Sequence, residues 1–399
     1  MVYDYIIIGG GASGCILAIE LLKKGKKVLI IEHKDRILKK LLVTGNGRCN
    51  FTNINATKDN YYGNNKLLIE NTMKNYPPER IIEYFSNLGI LHKELKNGKV
   101  YPNSLQASSV VDAIRNMLSY LACDIVYNTE INSCYKSKDI FYVNEYKAYK
   151  LVIATGGNSY KELGSDGSGY EIAKSFSHSI TSLEPVLVQL KTDPIYIKGL
   201  EGIKQDVTLK VYDNNKLLRV EKDEILFTSY GISGPVIFNS SYLTALHGFS
   251  IEFSIDFLEE YTHTKLLEFL KDRVNKLYFL EATEFLNGIL HKKLGMFLLK
   301  KSGLEKLNVL VCEISDKILE NLVKNIKDYR IKAYDTTGFK NAQVTKGGVD
   351  SNELTLNFES KIHENLYFIG EIVDIFGDCG GYNLQFNFAS SLTVGGLDD

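Results

Sequence analysis

Six residues near the start of the chain, Gly9-Gly10-Gly11-Ala12-Ser13-Gly14, follow an apolar run, Tyr5 to Ile8, and open a segment with helical periodicity, Ala12 to Lys24. Gly-x-Gly-x-x-Gly in that setting suits one chemistry. Gly9 permits a tight turn, Gly11 lets backbone N–H groups approach a diphosphate, and Gly14 allows the helix to pack closely on the strand. The helix N-terminus then presents about half a positive charge to the phosphates. A second apolar run, Lys27 to Ile31, ends at Glu32, whose carboxylate stands where a ribose hydroxyl is gripped in such units. Strand, turn, helix, strand and terminal acid together point to a bound dinucleotide, the alternative being a glycine turn without a ligand.

Three further segments carry polar or glycine-rich turns. Thr44-Gly45-Asn46-Gly47-Arg48-Cys49-Asn50, preceded by Lys39-Lys40, suits a loop lying over a phosphate or a flavin edge, with Arg48 as a cationic fork; the other reading is a polar surface turn. Leu151 to Gly157 is an apolar strand ending in small residues, so Thr155 and Gly156 can meet a dinucleotide through backbone groups, and Gly164 to Tyr170 then leads into a helix. At the C-terminal end, the strand Leu366 to Ile369 runs into Gly370-Glu371 and Asp374, and Gly380-Gly381-Tyr382-Asn383-Leu384-Gln385 opens a helix. Its first amides could face a flavin pyrimidine edge, and Glu371 or Asp374 could bond ribityl hydroxyls. A capped core helix is the competing reading.

The elements that position these residues are legible in outline. With 399 residues, 44% hydrophobic and 24% charged, the chain is globular and long enough for two or three domains. Residues 183 to 255 alternate as antiparallel strands, with Val207 to Tyr212 and Lys216 to Val220 joined across Asp213-Asn214-Asn215. From Glu259 to about Ser302 the spacing of Leu266, Leu267, Leu270, Val274 and Leu277 predicts helices. Outside residues 170 to 337 lie 24 of the 32 glycines, so close backbone approaches concentrate at the two ends, which are expected to share one site. A formal net charge of -1 does not favour nucleic acid, no apolar run reaches a bilayer-spanning length, and a cytoplasmic location follows as the expectation. The six cysteines show no Cys-x-x-Cys pair and read as reduced thiols.

In their order, the motifs Thr44 to Asn53 (TGNGRCNFTN), Leu226 to Pro235 (LFTSYGISGP), Ala342 to Val349 (AQVTKGGV) and Gly370 to Gln385 (GEIVDIFGDCGGYNLQ) resemble the NAD(P)/FAD-dependent oxidoreductase family that includes aminoacetone oxidases and bile-acid ring reductases. The resemblance implies an α/β fold: a Rossmann-type three-layer FAD-binding domain (1–185 plus 336–399), an inserted antiparallel β-barrel-like domain (186–258 plus 305–335) and a small helical subdomain (259–304). It also implies one FAD contacted by Gly9, Gly11, Ala12, Ser13, Gly14, Glu32, Lys40, Gly47, Arg48, Ile131, Thr155, Gly156, Glu371, Asp374, Asn383, Leu384 and Gln385, with Ile131 meeting adenine through its backbone. Ser229 stands where the family commonly has His, and Asn357 to Lys361 where it commonly has Thr-Met-Glu-Ser-Lys. No second Gly-x-Gly-x-x-Gly unit exists, so NAD(P)H as a transient donor would have to visit the flavin face directly.

The function expected is hydride transfer between flavin N5 and a small organic substrate, without an obligatory side-chain nucleophile or a metal. Whether the enzyme reduces an activated carbon–carbon double bond or oxidises an amine is open at this point. Tyr170, His178 and Tyr382 are the candidate proton donors, and Cys49 and Cys379 the candidate dithiol pair, each with packing as the alternative. A flavin-binding or sensing protein and an RNA-modification flavoprotein are the alternatives from other classes.

Overall fold

The structure, a computed structural model, describes residues 1–397; the last two positions of the expected FAD domain, 398 and 399, lie outside the described residues. The chain divides into two compact units, Met1–Pro185 with the stretch from Phe339 onward, and Val186–Gly338.

The first unit is Rossmann-type. In chain order its main elements are β1 (Tyr3–Ile8), α1 (Ala12–Lys23), β2 (Val28–Ile31), α2 (Lys39–Gly47), β3 (Lys99–Pro102), α3 (Ala107–Tyr120), β4 (Asp124–Val126), β5 (Tyr146–Ile153), α4 (Ser168–Ser175), β6 (Leu366–Phe368) and α5 (Tyr382–Gly395). Strands β4, β2, β1, β5 and β6 lie side by side and all run parallel. Helices cover a parallel sheet on both faces, which is why Ile6–Ile8, Val28–Ile31, Leu151–Ile153 and Leu366–Phe368 are unbroken apolar runs and fully buried.

Strand β5 shows the rule changing along one element. Its first half, Tyr146 to Ala148, pairs antiparallel with Ile140–Val143 of a hairpin and alternates in burial; its last three residues, Leu151 to Ile153, lie between β1 and β6 and are fully buried. Pairing registers bring Val126, Ile31, Ile8, Ile153 and Phe368 into one row across the sheet. Everything that follows those five residues therefore emerges along a single edge.

The two chain ends meet in this unit. Helix α5 buries Phe386, Phe388, Ala389 and Val394 and packs along α1, so closely that a Cβ built on Gly395 would lie 2.9 Å from Glu20 Cβ.

The second unit holds a closed six-stranded antiparallel barrel, in the order Leu190–Thr192, Gly231–Ser233, Lys216–Phe227, Lys204–Asp213, Glu252–Asp256, Tyr329–Thr336. Between its two longest strands Asn214 and Asn215 both take φ values in the left-handed region, 46° and 67°, the conformation that Asn tolerates and that a tight hairpin with right-handed twist requires. Helices Pro235–His247, His263–Lys276, Lys292–Lys301 and Asp316–Lys327 complete the unit, and Leu266 and Leu270 are the fully buried members of the expected apolar face.

One position of the opening turn limits the packing of β1, α1 and the turn together. A Cβ built on Gly14 would sit 2.1 Å from Gly9 O, and backbone cannot yield as a flexible side chain can. Gly14→Ala is expected to destabilise the protein by about 3 kcal/mol, at the upper end of ordinary overpacking costs. Thermal or urea unfolding of the variant checks this; an unchanged midpoint would show that the turn relaxes freely.

Candidate functional site

The edge defined by the strand row carries most of the residues singled out from sequence. Gly9 has φ +107°, and a Cβ there would lie 2.5 Å from Ala154 O, so the turn after β1 passes directly over the end of β5. Gly11 is the N-cap of α1, no side chain caps the helix, and nothing lies within 4 Å of where its Cβ would be. The first amides of α1, from Ala12 onward, thus open onto free space, an arrangement suited to an oxyanion. Ser13 is different: its Oγ would be 2.3 Å from a Cβ on Gly370, so its side chain packs toward the C-terminal segment and only its N–H remains for a ligand.

Glu32 is 8% exposed and fixed at both oxygens, Oε2 accepting from Gly10 N–H and Oε1 from Lys34 N–H, each at 2.8 Å. The carboxylate is thereby locked beside the turn with lone pairs to spare for hydroxyls. The loop after β4 runs alongside it, Thr129 N–H donating to Glu32 O at 3.1 Å, and Ile131 sits half-buried two residues further on.

From the other side of the edge come Gly156, with φ +75°, and Glu371. Lys40 Nζ donates to Glu371 Oε2 at 2.7 Å, and Thr345 N–H donates to Glu371 Oε1 at 3.1 Å. Thr345 is buried and also accepts from Asn158 N–H at 2.8 Å through its hydroxyl. Sequence reading gave Thr345 no role, although it lies in the motif Ala342 to Val349; nothing in that motif shows that it braces a carboxylate 26 residues away.

A second cluster forms around the N-terminus of α5. The α2 segment breaks at Thr44–Asn46, where Gly45 and Asn46 turn left-handed, so the glycine-rich stretch expected to form a loop leaves the helix here. Gly47 follows with φ +76°. The Arg48 guanidinium lies over the Tyr101 ring, 5.0 Å from its centroid, and its Nε donates to Gly45 O. Gly381 caps α5 with φ +104° and no side-chain bond, and a Cβ there would lie 2.3 Å from Thr52 O.

The side chains of α5's first turn look inward. Asn383 Oδ1 accepts from Gly377 N–H, while its Nδ2 donates to Gly377 O and Asp378 O. Gln385 Oε1 accepts from Thr52 Oγ1 and its Nε2 donates to Tyr76 O. These amides are spent on holding loops, so Asn383, Leu384 and Gln385 can serve a ligand through main-chain groups only, and Gln385 N–H is already bonded to Gly381 O.

Several singled-out side chains point elsewhere. Asp374 is 4% exposed and accepts from Ser351 N–H at 3.0 Å, which turns it into a brace rather than a ribityl contact. His178 Nδ1 is 2.8 Å from Glu353 Oε2 and Nε2 is 2.7 Å from Ser360 Oγ, with the ring packed on Phe368. Burial lowers its pKa, partly offset by Glu353. Both ring nitrogens are occupied, so a donor role toward a substrate does not fit. Tyr170 is 3% exposed, its hydroxyl without a partner among the described residues, and burial, then the charge of Glu371, raises its pKa. The Tyr382 main-chain oxygen accepts from Tyr61 OH. Ser229 is exposed in the second unit.

All six cysteines are free thiols. Cys49 is fully buried and burial pushes its thiol up to about 12, so it is a packed apolar group rather than half of a reactive pair. Among the described residues no cluster of His, Cys, Asp and Glu could hold a metal ion, and no helix is long and apolar enough to cross a membrane.

Burial raises the Asp374 carboxyl to about 6, the Ser351 bonds opposing the shift. A carboxyl with a raised folded-state pKa binds its proton more tightly in the native state, so its stabilising effect is complete below pH 4 and is lost as pH climbs to 6. Relative to Asp374→Asn, the wild type is expected to lose up to about 3 kcal/mol across that window. Denaturant unfolding of both proteins between pH 4 and 7 measures the difference, and parallel curves would refute it.

In donor type the edge fits a flavin dinucleotide: an uncapped helix start with open space over Gly11, a fixed acid beside it, and a second uncapped helix start at Gly381. Residues 3–397 match the HI0933-like protein Rossmann domain family. A 3-dehydro-bile acid delta(4,6)-reductase of Clostridium scindens is 34% identical, the alignment covering 98% of this chain and 97% of that protein. A ribosomal RNA dihydrouridine synthase of Haemophilus influenzae is 28% identical over 97% and 96%. Among solved structures, the 3-ketosteroid-delta4-(5alpha)-dehydrogenase of Rhodococcus jostii RHA1 shares the fold with a TM-score of 0.52 at 13% identity, covering 98% and 96%. The matched span and the 34% relative agree with the glycine turn, the strand row and the barrel, and this chain belongs to the HI0933-like Rossmann family of FAD-dependent oxidoreductases.

Proposed function

We propose that this enzyme reduces an activated carbon–carbon double bond in a small steroid-like substrate, with NAD(P)H as the hydride donor to its FAD. The observation that carries the reading is the 34% relative named as a bile-acid reductase, aligned along nearly the whole of both chains. Bound FAD supplies two-electron hydride exchange at N5, and the protein's part is to bind, orient and balance charge.

The residues divide that work. The open amides of Gly11, Ala12, Ser13 and Gly14 hold the diphosphate, Glu32 the adenosine ribose, and the backbone at Ile131 the adenine. Thr155 and Gly156 pass beneath the dinucleotide by main-chain contacts, and the Lys40–Glu371 pair faces the ribityl chain. Gly47 and Arg48 close over the cofactor. At the far end the N-terminus of α5 favours negative charge beside it, which makes electron uptake easier at that edge.

A ribosomal RNA uridine is the second reading, because two relatives at 28% identity are named ribosomal RNA dihydrouridine synthases. The formal net charge of -1 gives it no electrostatic support.

Anaerobic mixing with NADH and NADPH is expected to bleach the flavin of the purified protein, and a 3-oxo-Δ4 bile acid to restore its colour with formation of the saturated product. Bleaching by amines with peroxide release on admission of air would overturn the reading in favour of an oxidase, and recolouring by unmodified ribosomal RNA alone would favour the second. Glu32→Gln weakens the hydrogen bonds to the ribose and is expected to raise the FAD dissociation constant roughly tenfold, measured by flavin fluorescence on titration. Unaltered affinity would remove Glu32 from the binding set.

A further inference from the structure

Asn50 sits between two anchored residues just after α2. Cys49 N–H donates to Thr44 O and Phe51 N–H to Val100 O, each at 3.0 Å, and the Phe51 ring packs on Phe85. On its other side the Asn50 main chain passes against Gly45, where a Cβ would lie 2.9 Å from Asn50 N. These neighbours fix the place of the residue.

The Asn50 side chain is out of keeping with the carboxamides around it. Asn53 Nδ2 donates to Asn97 O and Gly380 O while its Oδ1 accepts from Asn55 N–H. Asn383 is tied to Gly377 and Asp378, and Gln385 to Thr52 and Tyr76. Asn50 is only 7% exposed, yet its Oδ1 is buried with no hydrogen-bond partner among the described residues. Leaving a buried carbonyl oxygen unbonded costs more than an ordinary bond contributes, so this position calls for a donor from outside the chain.

That oxygen lies at a particular place. A Cβ built on Gly381, the residue that caps α5, would lie 3.0 Å from Asn50 Oδ1. An acceptor in need of a donor and a helix start with no side-chain cap therefore lie side by side, where the far end of the flavin is placed above.

The chemistry of the ring selects the atom that meets Oδ1. Oxidised isoalloxazine presents acceptors at its carbonyls and at N1 and N5, and one N–H donor only, at N3 between the two carbonyls. The other donors of FAD, its sugar and ribityl hydroxyls and its adenine amine, are placed along the sheet edge at Glu32, Glu371 and Ile131. We propose that Asn50 is a cofactor-binding residue whose Oδ1 accepts from flavin N3–H, with the adjoining C2 carbonyl toward the positive end of α5. The assignment rests on the flavin position proposed above and is independent of the substrate, so an enzyme that reduced no enone would still show it.

Purified holoenzyme is exchanged against an equimolar mixture of FAD and FAD methylated at N3, and the bound flavins are extracted and separated. The wild type is expected to prefer FAD by roughly tenfold or more, because the methyl group removes the donor and leaves Oδ1 unbonded. Asn50→Leu keeps the bulk of the side chain without the acceptor and is expected to lower that preference roughly tenfold. In the same variant the N3 proton resonance of isotopically labelled, bound FAD is expected to move upfield.

Equal binding of the two flavins by the wild type would overturn the inference, as would an unchanged preference or an unmoved resonance in a folded Asn50→Leu. If that variant does not fold, the wild-type resonance decides: a position downfield of free FAD supports the bond, and the position of free FAD overturns it. A wild type that held neither flavin would instead overturn the flavin position, and this inference with it.

Discussion

Five parallel strands that end level with one another are the constraint on which the rest of this structure depends. Because Val126, Ile31, Ile8, Ile153 and Phe368 share one row, Glu32, Gly9, Ala154 and the Gly370-Glu371 pair are delivered to one edge from segments that are as much as 360 residues apart in the chain. A slip of one residue in any strand would turn its side chains to the opposite face and move its loop off that edge. The buried apolar runs prevent such slips, since burying Ile6 to Ile8 contributes about 2 kcal/mol for each side chain and exposing them forfeits it. Packing against α1 and α5 thus sets the geometry at which polar groups can meet a ligand.

What the edge offers is mostly main chain. Both helix starts that face it, at Gly11 and at Gly381, lack side-chain caps, whereas His263–Lys276 and Asp316–Lys327 are capped by Thr262 and Ser315. Orphan N–H groups are costly when buried, so a fold tolerates them only where water or a ligand satisfies them. The side chains nearby are consumed in fixing the frame: Glu32 ties the turn to β2, Asn383 ties α5 to Gly377 and Asp378, and Gln385 joins α5 to Thr52 and Tyr76.

The opening turn, Glu32 and the strands at both ends could be read directly because their signals are local, a glycine pattern and apolar runs bounded by turns. The hairpin at Asn214-Asn215 was legible for the same reason. Closure of the barrel was not, since it needs Leu190–Thr192 to pair with Tyr329–Thr336, whose near ends are separated by residues 193 to 328, and no local pattern encodes that register. Asp374, Asn383 and Gln385 stood in the right motif, yet their side chains are directed by Ser351, Gly377 and Tyr76, partners that the motif does not name. His178 shows the same limit: its partners Glu353 and Ser360 lie more than 170 residues downstream, and only their convergence distinguishes a braced core histidine from an available proton donor.

The Lys40–Glu371 pair links these themes. Both side chains are largely buried, 22% and 11% exposed, and an ion pair so placed loses much of its attraction to desolvation. Its value is positional. Glu371 follows β6 by three residues and Lys40 lies at the start of α2, so the pair ties that side of the edge to the helix. Thr345 adds a neutral N–H to the same carboxylate from a third segment, a second tie on Glu371 that does not depend on Lys40. An acid held by one lysine and by one main-chain amide from a different segment keeps its place through either bond.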